Sequence, residues 1–305
     1  MLNIRKTQSG NYVSGEGLLT ELEVIEGISK SGKDYVRVNA SIKVDQEIDG
    51  KVVENIVNWG AFTMKFKTDN SPNPNYTRLV DYKNKLIPLA SAETANEASR
   101  VKFTGNLAEN VYVNRATGLL NDKHFNVEGR YLNIVAPTRA EKDSALFELK
   151  NVIVGKEPKR ETNKDGEETG RVVTEVILIG WNGKAEVIPI VATTPEAVNF
   201  VEQNWSKGDT VNISGIINCS MDKESWLEPQ DFGDPIERTR TISRKELVMN
   251  RASKPLDESK SYDSNEIKEV LLERNARNEA LIADSKKSKP APPVKKTTGS
   301  EDLDW

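Results

Sequence analysis

The chain has 305 residues, with 43 Lys and Arg against 47 Asp and Glu, one histidine and one cysteine. Hydrophobic residues make up 36 % and charged residues 30 %, and the mean hydropathy is −0.58, which is wetter than an average globular chain. Length suggests about two domains; no apolar run approaches the ~20 residues of a membrane span, Cys219 alone forms no internal disulfide, and His124 with one cysteine makes neither a zinc set nor a catalytic triad.

Residues 1–12 contain no apolar block, so no secretory leader is expected, and the single cysteine fits a reducing, cytoplasmic setting. The net charge of −4 is unevenly spread: residues 1–139 carry +2 and residues 140–251 carry −5. Net charge therefore neither supports nor forbids polyanion binding, which needs only a local basic groove. If one part grips a polyanion, the first is the better candidate.

Residues 1–13 read as a loose arm and 16–27 as a strand, followed by a turn at Ser29-Lys30-Ser31-Gly32. Residues 35–44 alternate cleanly. Val36, Val38, Ala40, Ile42 and Val44 share one face, and Tyr35, Arg37, Asn39, Ser41 and Lys43 share the other, the period-2 pattern of a half-buried strand. Asp49-Gly50 signals a hairpin, with residues 52–66 as the return strand. A proline-bearing loop leads to a helix over 76–86. Residues 100–108 form a strand with Val101, Phe103, Gly105 and Leu107 on one face, and a hairpin through Thr117-Gly118 continues to 125–135. Residues 137–143 are a polar link.

The order then restarts. Residues 146–154 read as a strand, 156–170 as a charged hairpin loop, and 172–181 and 185–191 as strands joined at Asn182-Gly183. Thr194 as N-cap and Pro195 at the first helical position begin a helix to Trp205. Val211, Ile213 and Gly215 lead a strand, residues 221–235 read as a long loop, and 240–250 as a last strand. Residues 264–283 have weak helical spacing, and from Ser285 the Lys, Ser, Pro, Ala and Thr composition cannot build a core.

Three strands, a helix and two strands are the plan of the OB-fold, a partly open five-stranded Greek-key barrel. The expected architecture is mainly β: two tandem OB-fold barrels, 1–139 and 140–254, then a helical segment 255–284 and a disordered linker with an acidic tip, 285–305.

Short motifs within this plan resemble bacterial and phage single-stranded DNA-binding proteins. Residues 195–201 and then Trp205-Ser206-Lys207-Gly208-Asp209 with Val211-Asn212-Ile213-Ser214-Gly215 are similar to that family's helix, Lys-Gly turn and Val-x-Ile-x-Gly strand. Val101-Lys102-Phe103-Thr104-Gly105-Asn106-Leu107 is similar to the same strand, and Tyr112, Gly118 and Phe125-Asn126-Val127 follow as the family's last hairpin does. The ending resembles the family's flexible linker and acidic tip, though it closes on Asp302-Leu303-Asp304-Trp305 rather than Ile-Pro-Phe. Two domains per chain depart from the family's usual single-domain tetramer and look like a phage-type or tandem variant; the oligomeric state is left open.

Such a fold grips single strands with stacking platforms and a positive groove centred on strands 2 and 3. On strand 2, Tyr35, Arg37, Asn39 and Lys43 offer an aromatic beside cations, the combination that base stacking and phosphate neutralisation require; an ordinary solvated face is the alternative. Lys30 and Lys33 flank it in the turn. Strand 3 offers Trp59, Phe62 and Phe66 with Lys65 and Lys67. Trp59 and Phe62 are an odd number apart, so one of them belongs to the core unless Gly60 marks a bulge. Tyr112, Arg115 and Lys123 lie on the last hairpin. In the second unit Trp181 is a further stacking candidate, crowded by acids. Trp205 and Phe200 read as core, and Cys219 as a small buried side chain.

The leading expectation is a non-enzymatic single-stranded DNA-binding protein of replication, recombination or repair, needing no cofactor or metal. Glu301, Asp302, Leu303, Asp304 and Trp305 would recruit replication or recombination proteins: two apolar anchors among acids suit an apolar pocket rimmed by Lys or Arg. The alternatives are a phage structural or assembly protein using the barrels for protein contacts, and an RNA-binding OB protein.

Overall fold

Leu22 and Val24 alternate with polar residues in the first strand, β1 (Gly10–Ile28), after a register shift between Leu19 and Glu21, and so long a strand meets three partners in turn. In the computed structural model, which describes residues 8–48, 50–114, 117–163, 166–180, 183–228, 234 and 236–287, residues 18–28 of β1 pair with β2 (Asp34–Ile48), residues 13–18 with β4 (Arg100–Val113) and residues 10–16 with β6 (Ser144–Val154). Gly15 and Gly17 stand at this crossing. A Cβ on Gly15 would overlap the Phe103 ring and the Ser144 carbonyl, and one on Gly17 the Lys43 carbonyl. Only glycine lets the backbones approach this closely.

The chain is mainly β and contains a five-stranded barrel. β2 pairs along its length with β3 (Lys51–Met64). β3 touches β5 (Leu120–Ile134) in parallel at Trp59↔Val127 and Gly60↔Glu128, and β5 pairs with β4, which returns to β1. Between β3 and β4, helix α1 (Pro74–Lys85) starts on an Asn73 cap with Pro74 at its first turn. Its Leu79 and Tyr82 close one end of the barrel, and the Tyr82 and Trp59 rings lie 6.4 Å apart.

The remaining strands repeat this pairing order. β6 pairs with β10 (Thr210–Asn218), β10 with β13 (Glu246–Ala252), β13 in parallel with β9 (Ala185–Ala192), β9 with β8 (Glu168–Ile179), and β8 returns to β6 at Ile153↔Ile177. Helix α2 (Pro195–Asn204), capped by Thr194, again lies between the third and fourth strands of the set. β7 (Lys159–Thr162) extends the sheet beyond β8. β11 (Met221–Glu228) and β12 (Ile236–Ser243) form a separate two-stranded hairpin, and α3 (Ser264–Lys287) ends the described chain.

Buried polar groups join the two sets of strands. Gln46 Nε2 donates to the Ile217 carbonyl at 2.8 Å and its Oε1 accepts from Ala145 N–H at 2.8 Å; Asn55 Oδ1 accepts from Cys219 N–H at 3.0 Å. α3 packs Val270, with Ile267 and Leu271, on Ile179, Ala185 and Val187, and its Arg274 forms a buried ion pair with Glu109 of β4. Around the link after β5, Arg100 binds the buried Glu16 at 2.7 Å and Asp143 at 2.5 Å, and Glu141 N–H donates to Glu16 at 2.9 Å. Burial works to raise the Glu16 pKa, but the Arg100 hydrogen bond, the Glu141 N–H and the charges of Arg100 and Lys102 outweigh it and hold the carboxyl below its ordinary value.

Several expectations need correction. The segment from Gly10 to Val13 is paired strand, because β6 supplies it with a hydrogen-bonding edge. Residues 221–228 are a strand paired with β12, and β7 lies inside what reads as a charged loop. The register Asn39↔Gly60, Ala40↔Trp59 runs through Gly60 without a bulge. Arg115, Trp181 and residues 301–305 lie outside the described residues, as does the Lys123 side chain.

Candidate nucleic-acid interface

Alternation on β2 turns Val36, Val38, Ala40, Ile42 and Val44 into the barrel and leaves Tyr35, Arg37, Asn39 and Lys43 outside. Pairing with β1 and β3 extends that face into rows. One row is Ile25, Arg37 and Phe62; the next is Glu23, Asn39, Gly60 and, through β5, Glu128. Phe62 is 58 % exposed, and its ring centroid lies 5.4 Å from that of Tyr35. Lys65 and the exposed Phe66 continue the face: Lys65 Nζ lies 5.9 Å from the Phe66 ring and 3.0 Å from Asp34. Lys30 and Lys33 are exposed in the turn between β1 and β2, where Gly32 takes φ +77°.

Trp59 is a correction. Residue parity puts it opposite Ala40, inside the barrel, where it is 1 % exposed and donates Nε1–H to the Thr104 carbonyl at 3.0 Å. It packs under Gly129, where a Cβ would overlap the indole, so it offers no stacking surface. Lys43 is engaged otherwise than expected: its Nζ lies 2.5 Å from Glu54 and 3.9 Å from Asp45, and the Glu54 hydrogen bond, working against partial burial, raises its pKa. Tyr112 is exposed near the end of β4, and its Oη accepts from Asn121 at 2.8 Å; the ring pair of the face, tilted at 37°, is made by Tyr35 and Phe62 without it.

Among the described residues, two depressions adjoin Phe62. The larger, an open groove of about 960 Å3, carries Arg37, Asn39 and Phe62 but also Glu21, Glu23 and Glu128. Arg37 Nε donates to Asn39 at 3.2 Å, and Asn39 donates to Glu23 at 2.8 Å. The protein packed around Glu128, with the like charge of Glu186 outweighing Lys184, raises its pKa. The smaller depression joins Phe62 to Arg78 of α1 and to Arg130 and Tyr131 of β5. Arg78 Cζ lies 4.2 Å from the Tyr131 ring centroid, and its Nη2 donates to the Arg130 carbonyl at 3.0 Å.

Arg78, Arg130 and Tyr131 were missed by sequence reasoning. Arg130 and Tyr131 are consecutive, and strict alternation would send one of them inward. Instead β4 pairs Thr104 with Tyr131 and Gly105 with Gly129, leaving Arg130 as the extra residue of a β-bulge. Both side chains are therefore exposed. The signal available in the sequence was Gly129-Arg130-Tyr131 itself, a glycine followed by two polar-tipped residues before Leu132.

Among the described residues no helix is long and apolar enough to cross a membrane, and no group of three or more His, Cys, Asp or Glu is placed to hold a metal ion. No curated protein matches the chain. Among solved structures, the single-stranded DNA binding protein from Thermus aquaticus matches at 11 % identity with a TM-score of 0.50, over 82 % of this chain and 95 % of that one. A deletion mutant of the same protein gives a TM-score of 0.48 at 11 % identity, over 82 % and 97 %. A Plasmodium falciparum SSB complex with ssDNA gives 0.23 at 19 %, over 39 % and 99 %. The first of these likenesses speaks for the fold: a single-stranded-DNA-binding-protein-like OB barrel. At the level of sequence, a family model named YorF matches residues 9–288, and the chain belongs to the YorF family.

Proposed function

We propose that the chain binds single-stranded DNA without marked sequence preference and without catalysis, and does so in the cytoplasm during replication, recombination or repair. The observation that carries this reading is the outer face of β2 and β3, where the Tyr35–Phe62 pair stands beside Arg37 on a barrel of the OB type. Exposed aromatic rings flanked by cations suit stacked bases and phosphates. In this reading residues 1–139 and 140–254 are tandem OB-fold barrels. The first, net positive part is the main binder, with Lys30 and Lys33 at its margin and Tyr112, Arg115 and Lys123 of the last hairpin as further contacts; Trp181 is an accessory contact. Residues 301–305 recruit replication or recombination proteins.

The test is fluorescence anisotropy with labelled oligo-dT, the matching duplex and the matching RNA. Tight, salt-sensitive binding of the single DNA strand is expected, because Lys and Arg displace counterions. Duplex binding without single-strand binding refutes the proposal, and a clear preference for RNA replaces it with an RNA-binding reading. Deleting residues 300–305 should leave oligo-dT affinity equal or slightly higher and remove captured replication proteins from a pull-down; an unchanged pull-down rejects the role of the tip.

A further inference from the structure

The single-stranded DNA reading leaves open which way the strand runs across the barrel, and the charges on the two depressions differ. The larger groove presents Glu21, Glu23 and Glu128 around Arg37, so a phosphate laid there shares the groove with three carboxylates. The smaller notch, about 390 Å3, is lined by Phe62, Thr63, Asn75, Arg78, Arg130 and Tyr131 among others, with no carboxylate in its wall. That volume lies in the range of ~300–1,000 Å3 typical of small-molecule clefts.

Three features of this notch point to a ligand. The bulge at Arg130 sends Arg130 and Tyr131 outward together, and bulges of this kind re-aim side chains at functional sites. Arg78 is held in one orientation by its stack on Tyr131 and its bond to the Arg130 carbonyl, while its Nε is buried without a protein partner. The guanidinium is therefore pre-positioned, which lowers the ordering cost of binding. Phe62, 58 % exposed, forms one wall.

We infer that the notch between α1, β3 and β5 is a nucleotide subsite of the single strand, in which Arg78 and Arg130 take a phosphate and Phe62 takes the adjoining base. The inference rests on the proposed DNA-binding function. It sends the strand from the Tyr35–Phe62 pair toward α1, away from the acidic groove.

The test uses the full chain and labelled oligo-dT over a series of salt concentrations. Each phosphate of a single strand that the protein neutralises adds about 0.7 to the slope of log affinity against log salt. Because Arg78 and Arg130 share one phosphate, Arg130→Gln and Arg78→Gln are each expected to remove part of that amount and the double variant about all of it, and Glu23→Gln to leave the slope unchanged. Arg130 is exposed, so Arg130→Gln decides the matter if Arg78→Gln unseats α1, which thermal unfolding reports. An unchanged slope for Arg130→Gln, with the wild type binding normally, overturns the subsite and leaves the DNA-binding reading standing. So does a several-fold tightening by Glu23→Gln, which would route the strand through the acidic groove. No binding by the wild type overturns the DNA-binding reading itself. Thymidine monophosphate is expected not to compete at equal nucleotide concentration; competition would assign the notch to a free nucleotide and overturn the proposal.

Discussion

Trp59 and Phe62 lie three residues apart on one strand, and the barrel assigns them opposite work. Truncating Trp59 to alanine removes a side chain that is 1 % exposed and leaves the Thr104 carbonyl without its indole donor. Large-to-small changes of a buried aromatic cost about 3–5 kcal/mol, roughly a fifth or more of the ~5–15 kcal/mol that holds a typical domain together. Truncating Phe62, 58 % exposed, should change stability by no more than about 0.5 kcal/mol. In the DNA-binding reading it removes a stacking platform worth about 1–3 kcal/mol per base, equivalent to a loss of roughly fivefold to 150-fold in affinity. The assay is paired: thermal unfolding by circular dichroism and anisotropy titration with oligo-dT at one salt concentration. Trp59→Ala should lower the unfolding temperature sharply, and Phe62→Ala should lower affinity at an unchanged unfolding temperature. The assignment fails if Trp59→Ala keeps its unfolding temperature yet loses binding, or if Phe62→Ala melts early and binds as before.

Arg100→Met strips the buried Glu16 of its closest cation. Glu141 N–H and Lys102 stay in place, so the destabilisation should fall near the lower end of the ~3–5 kcal/mol seen when one partner of a buried pair is removed, measurable by urea unfolding. Because the folded state holds the Glu16 pKa low, its charged form contributes stability that is complete above the ordinary glutamate pKa and is lost as pH falls through the depressed value; Glu16→Gln should flatten acid unfolding in that window. Glu128 has the opposite sign: its raised pKa means that the ionised form is disfavoured in the fold. Glu128→Gln should therefore raise the unfolding temperature at neutral pH, with the gain shrinking as pH falls through the raised value toward the ordinary one; a gain that persists at low pH rules out the charge explanation. Burial, outweighing the charge of Lys245, pushes the Cys219 thiol up to about 11, so thiol reagents at pH 8 should react slowly with folded protein and quickly once it is unfolded; equal rates would contradict that burial.

Local pattern made part of this molecule legible in advance. The clean alternation of residues 35–44 identified β2, its inward set and its outward set of Tyr35, Arg37, Asn39 and Lys43. The Thr194-Pro195 start located α2, and the Asp49-Gly50 signal located the hairpin of β2 and β3. In β3 the same period-2 rule required one of Trp59 and Phe62 to be core but not which, because both are large aromatics and either suits a barrel interior. Register decided it, by placing Trp59 opposite Ala40 and beneath Gly129.

By itself, then, the sequence determined the order of most elements, though not β7 or β11, the faces of its regular strands and the candidate face on β2, since these follow from side-chain periodicity and turn chemistry within a few residues. Only the tertiary structure decided what depends on which backbones meet. β1 gains a strand at Gly10–Val13 because β6 lies beside it, and Lys43 is tied up because Glu54 reaches it across the hairpin. The notch of Arg78, Arg130 and Tyr131 exists because a bulge breaks alternation at one residue and α1 lays its arginine over the ring that the bulge turned outward. Arg78 meets Arg130 from 52 positions away in the chain. No local pattern encodes such a meeting, because its geometry is set by how the barrel closes.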